Sequence, residues 1–145
     1  MEYKVMTYTV ENGLETKFVT RSCLNDYDPE CFDLHYNSVS KVLYFIKNKT
    51  FYEENGNIPG LGTQTIPMLE KMFENVGTYM TLQDLWCPYD GHAINYALIN
   101  VRINALRKLF KDDNCFHAEL FLMCNTYPTS FMWNPEKSFC FITEA

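Results

Sequence analysis

The sequence predicts an α+β fold: an N-terminal antiparallel sheet, three helices, and a C-terminal β-hairpin. Three observations predict it. Residues 1–60 alternate apolar and polar side chains between turn signals, the period of half-buried strands. Residues 61–111 switch to a three-to-four spacing of apolar side chains, the period of amphipathic helices. Residues 112–145 return to short aromatic and β-branched runs, the last two separated by Asn134-Pro135-Glu136-Lys137, a four-residue hairpin turn. At 145 residues the chain is one domain by size, long enough to bury a core.

The elements follow in order. YKVMTYTV over 3–10 is a strand, Glu11-Asn12-Gly13 a hairpin turn, and KFVTR over 17–21 a second strand. Asn25 to Glu30 is an acidic loop. Strands follow from Phe32 to Tyr36 and from Ser40 to Ile46, joined at Asn37-Ser38. After a turn at Lys47 to Thr50, Phe51-Tyr52 starts a further short strand. Ile66, Leu69, Met72 and Phe73 mark a helix that tolerates Pro67 in its first turn and stops at Asn75-Val76-Gly77. Thr81 with Asp84 three residues later forms a capping box opening a short helix, Leu82 to Trp86, which Cys87-Pro88 ends. The longest helix runs from Gly91 to Lys111, with Asp90 placed to cap it. Strands at 118–124, 130–133 and 138–142 complete the chain.

On a helical wheel, Ile94, Leu98, Val101, Ala105 and Leu109 fall on one side of the longest helix, with Ile99, Ile103, Leu106 and Phe110 beside them. Tyr96, Asn100, Asn104, Arg107, Lys108 and Lys111 gather opposite. Arg102 lies between the apolar groups and is expected to turn its head outward along its aliphatic stem. Lys108 and Lys111 suit the C-terminal end of the helix dipole. This helix carries four cations and no acid in a chain of net charge −6, so its polar face is the first candidate for a contact with a partner.

Composition excludes several classes. The chain is 47% hydrophobic and 16% aromatic, so it is not disordered. A pI near 5.0 argues against a general nucleic-acid coat or a membrane-surface protein, but leaves room for a local basic patch. The beginning of the sequence lacks a signal-peptide pattern, and no apolar run reaches the roughly 18 residues of a membrane span, so the expectation is a cytoplasmic protein with no membrane partner. The six cysteines contain no CxxC and read as reduced thiols. Asp26, Asp28, Glu30 and Asp33 lack the glycine and the final glutamate of a calcium loop. Cys87, His92, Cys115 and His117 do not have zinc-finger or ribbon spacing. No phosphate-binding loop, dinucleotide fingerprint or nucleophile elbow is present. No enzyme, metal or small-molecule cofactor is expected.

Three phrases carry a resemblance: Leu61 to Gly77 (LGTQTIPMLEKMFENVG), Met80 to Trp86 (MTLQDLW), and Val101 to Phe110 (VRINALRKLF) followed by Asp112. From about Phe32 to Ile142 the chain resembles the OmpR/PhoB-type winged-helix DNA-binding domain of response regulators and ToxR-like activators. The resemblance implies a single winged-helix domain over 1–145: strands over 1–60, a three-helix core over 61–111 and a wing over 112–145. It implies a small transcription regulator binding double-stranded DNA, with residues 91–111 as recognition helix and the final hairpin as wing. Tyr96, Asn100, Asn104, Arg107, Lys108 and Lys111 would face the major groove, and Lys137 would reach the DNA from the wing. The partners expected are DNA and either a second copy or a protein of the transcription machinery. Ala97, Asn104 and Ala105 stand where that family commonly has basic residues, leaving about four phosphate contacts. The alternative is a winged-helix protein-interaction module that has lost DNA binding.

Overall fold

Two groups of strands, each with its own core, organise the chain. The computed structural model describes residues 1–58, 61–62, 65–85, 96–111, 119–124 and 129–145. The chain divides into two compact units, Met1–Ile58 with Pro135–Ala145, and Pro59–Asn134.

The first unit is a six-stranded sheet in the order β2-β1-β9-β3-β4-β5. Its strands are β1 (Glu2–Thr9), β2 (Gly13–Thr20), β3 (Leu34–Asn37), β4 (Val42–Lys47), β5 (Thr50–Asn55) and β9 (Phe139–Glu144). The N-terminal strands lie where the sequence places them, with two extensions and one correction. β2 starts four residues earlier than expected, at the turn glycine Gly13 (φ +72°). β5 is a full strand, closed against β4 by Asn48 and Lys49 (φ +51° and +64°), the double left-handed geometry of a type I′ turn. The sheet is also mixed rather than purely antiparallel, because β9 enters its middle parallel to β3 and antiparallel to β1.

Asp33 and Ser138 fix that entry. Asp33 N–H donates to Ser138 Oγ (3.0 Å), while Ser138 N–H and its hydroxyl donate to Asp33 Oδ2 (2.7 and 3.2 Å). The Leu34 N–H then reaches the Ser138 carbonyl (3.2 Å), starting the parallel register Leu34↔Phe139 through Asn37↔Ile142.

The strand pairing places Met6, Leu34, Tyr36, Leu43, Phe45, Phe139 and Phe141 on one face, all at most 2% exposed. Stacked rings tie neighbouring strands there: Tyr8 with Phe139 (5.7 Å), Tyr36 with Phe141 (6.0 Å) and Phe45 with Tyr52 (4.9 Å). The opposite face carries Tyr3, Val5, Cys140 and Ile142. It is covered by the crossover from β2 to β3, two short 3₁₀ turns (Arg21–Asp26 and Pro29–Cys31), with Leu24, Tyr27 and Phe32 packed against it.

The second unit contains α1 (Thr65–Glu74), β6 (Met80–Thr81), α2 (Leu82–Leu85), α3 (Tyr96–Leu109), β7 (Phe121–Cys124) and β8 (Ser130–Trp133). The helix stop at Gly77 holds (φ +86°). The capping box is formed reciprocally: Asp84 N–H donates to Thr81 Oγ1 (3.2 Å) and Thr81 N–H to Asp84 Oδ2 (3.0 Å). The strands form a three-stranded sheet, β6-β8-β7. Trp133, fully buried, meets Phe73 of α1 and Phe121 of β7 edge-to-face, each at 5.3 Å.

This architecture overturns the winged-helix expectation. Nine strands, three α-helices and two 3₁₀ turns are present among the described residues, and the largest assembly is a six-stranded sheet. The predicted wing does not form: β8 pairs with β6 and β7, β9 pairs with β1 and β3, and the turn between them separates two sheets instead of closing a hairpin. The physical reason lies in Phe139-Cys140-Phe141-Ile142, four consecutive apolar residues buried on both faces of a sheet. A free wing has one covered face and would leave half of that run in water.

Candidate functional site

The sequence pointed first to the longest helix. Its described part, α3, turns Ile99, Arg102, Ile103, Leu106 and Arg107 inward, with Phe110 buried directly after it, a regular three-to-four stripe in which two arginines occupy apolar positions. Arg107 is 6% exposed and donates from Nη1 to the Met123 sulfur (3.5 Å). It therefore lies against β7, away from the outward polar face assigned to it. Arg102 is 9% exposed, so its head does not turn out to water as expected. The buried stripe is correspondingly rotated: Leu98 and Val101, expected inside, are exposed.

Tyr96, Asn100, Asn104, Lys108 and Lys111 are exposed as predicted. Lys111 ends the helix in the left-handed region (φ +57°). Lys137, half-buried, belongs to the other unit. Of the four cations on this helix, two remain on the surface.

Of the other sequence constellations, Asp26, Asp28 and Glu30 are exposed, and Asp33 is engaged with Ser138. Cys87, His92, Cys115 and His117 lie outside the described residues, as do Asp90 and Ile94. Among the described residues, no group of His, Cys, Asp and Glu is arranged to hold a metal ion. No described helix is long and apolar enough to cross a membrane.

The first unit has an open depression of about 720 Å³ over the crossover, lined in part by Arg21, Asn25, Asp28, His35 and Asn37. His35 is its most unusual member. The ring is 6% exposed, wedged between Phe32 and Tyr44, and neither nitrogen has a hydrogen-bond partner. Burial is the largest influence on its pKa and pushes it down. With both nitrogens covered, the neutral imidazole is the favoured form. It acts as a neutral packing group beneath the crossover.

β2 offers a different kind of site. It is an edge strand, hydrogen-bonded to β1 on one side only, and Leu14 through Phe18 are exposed without interruption. Register places Leu14, Thr16 and Phe18 on one face and Glu15, Lys17 and Val19 on the other. Phe18 is 61% exposed and Leu14 42%, and Val10 in the adjoining turn is 66% exposed. The opposite edge, β5, carries adjacent Glu53 and Glu54. Sequence reasoning began the second strand at Lys17 and so missed half of this edge. The signal that could have found it is the alternation Leu14, Thr16, Phe18 directly after a turn glycine.

No protein-family model matches the chain, and neither a curated protein nor a solved structure matches it.

Proposed function

We propose that the chain is a protein-binding module that takes up an extended segment of its partner by strand addition at β2. The observation that carries this reading is the uninterrupted exposure of Leu14 to Phe18 along an eight-residue edge strand, with a phenylalanine 61% exposed. An open edge supplies a row of main-chain donors and acceptors, and side chains projecting at every second residue supply selectivity. The polar face of α3 supports DNA reading less well, because Arg102 and Arg107 are buried and the exposed cations there are Lys108 and Lys111.

Selection of a random displayed peptide library against the full chain tests the proposal. Selected peptides should slow amide exchange over Gly13–Thr20, and Phe18→Asp should weaken them by about 10- to 100-fold, the equivalent of one aromatic side chain left unburied. Protection elsewhere, or affinities indifferent to Phe18→Asp, would overturn the assignment.

A further inference from the structure

We infer that the partner at this edge is a second copy of the chain, paired β2 to β2 and antiparallel about Thr16. This rests on the reading of β2 as a docking edge and adds the identity of what docks.

A closed pair of identical edge strands needs a two-fold axis normal to the sheet. Each face then stays on its own side across the junction, so a residue on the Leu14 face meets only residues of that face. Directly opposed positions must therefore have an even sum. Centring the axis on Glu15 sets that carboxylate against its own copy, and centring it on Lys17 does the same with two ammonium groups. Like charges directly opposed are unfavourable in a sheet.

Centring on Thr16 has neither fault. It places Glu15 opposite Lys17 of the second copy, and by symmetry Lys17 opposite Glu15. On the other face it sets Leu14 against Phe18 twice, with the two threonines meeting at the axis. Both charge pairs are attractive, and the exposed apolar side chains of the strand cover one another. Gly13 through Val19 all find opposed residues, so this register uses nearly the whole strand. The other edge discriminates against the same event. In β5 the adjacent Glu53 and Glu54 lie on opposite faces, so registers centred on either residue set a carboxylate against its own copy. Self-pairing at β2 uses the same edge of both copies and so closes as a dimer.

Sedimentation equilibrium of the full chain from about 5 to 500 µM, spanning the micromolar-affinity range, tests this. The wild-type chain should pass from monomer to dimer within that range. Lys17→Glu should weaken the dimer about tenfold by setting carboxylates opposite each other twice. Glu15→Lys should weaken it similarly even though it lowers the net charge from −6 to −4, which separates local register from general repulsion. The double variant Glu15→Lys/Lys17→Glu should restore wild-type association. A chain that stays monomeric at 500 µM, or a double variant no better than either single one, overturns the inference. If selected peptides still protect Gly13–Thr20 in that event, the docking edge stands and only its occupant is wrong; absence of both removes the edge as well.

Discussion

Replacing Asp33 by alanine strikes the junction on which the six-stranded sheet depends. The substitution removes a carboxylate oxygen that accepts from Ser138 N–H at 2.7 Å and from the Ser138 hydroxyl at 3.2 Å. Hydrogen bonds to a charged group contribute about 1.5–3 kcal/mol, and the half-buried Ser138 N–H is left without its acceptor, so a loss of about 2–3 kcal/mol is expected. Ser138→Ala removes the hydroxyl alone, which also accepts from Asp33 N–H, and should cost about 1 kcal/mol. The two changes act on one cluster, so their double-mutant cycle should show a coupling of about 1 kcal/mol. Urea unfolding followed by circular dichroism reads this directly. With a slope of about 2 kcal/mol per molar, Asp33→Ala should lower the midpoint by about 1–1.5 M. If the two units unfold in separate steps, the loss falls on the step of the first unit. Residues 33 and 138 are 105 positions apart, and a wing hairpin gives them no reason to meet. Additivity within about 0.5 kcal/mol would refute the central placement of β9.

Two further outcomes follow from buried groups. His35 has a folded-state pKa depressed below the ordinary 6.5, so the unfolded chain takes up the proton first; stability is fully present above pH 6.5 and declines as pH falls through the depressed value. One proton limits the slope to about 1.4 kcal/mol per pH unit, and His35→Phe should remove that component from urea titrations between pH 7.5 and 5; an unchanged slope would show that other groups carry it. Cys140, with no exposed surface and its thiol pushed up to about 12 by burial, should resist alkylation in the native protein at pH 8 while exposed Cys31 reacts; a Cys140 adduct within minutes, seen by mass spectrometry, would contradict its placement.

What the sequence determined by itself was local. Alternation located the strands, Gly13 and Gly77 located a turn and a helix stop, and the Thr81–Asp84 spacing formed the reciprocal cap expected of it. These features depend on residues within a few positions of one another, and their periods and capping chemistry are written along the chain. Two matters were decided only in three dimensions. Strand partnership is one: 130–133 and 138–142 read as a hairpin because a good turn lies between them, yet a run buried on both faces, Phe139 to Ile142, suits the middle of a sheet, where β1 and β3 flank it from the far end of the sequence. The orientation of α3 is the other. A wheel ranks side chains by polarity, whereas packing buries Arg102 and Arg107 and leaves Leu98 and Val101 outside. The candidate site followed the same division. Leu14, Thr16 and Phe18 alternate visibly in the sequence, but only the sheet order makes β2 an edge, and an edge is a property of what does not pair with it.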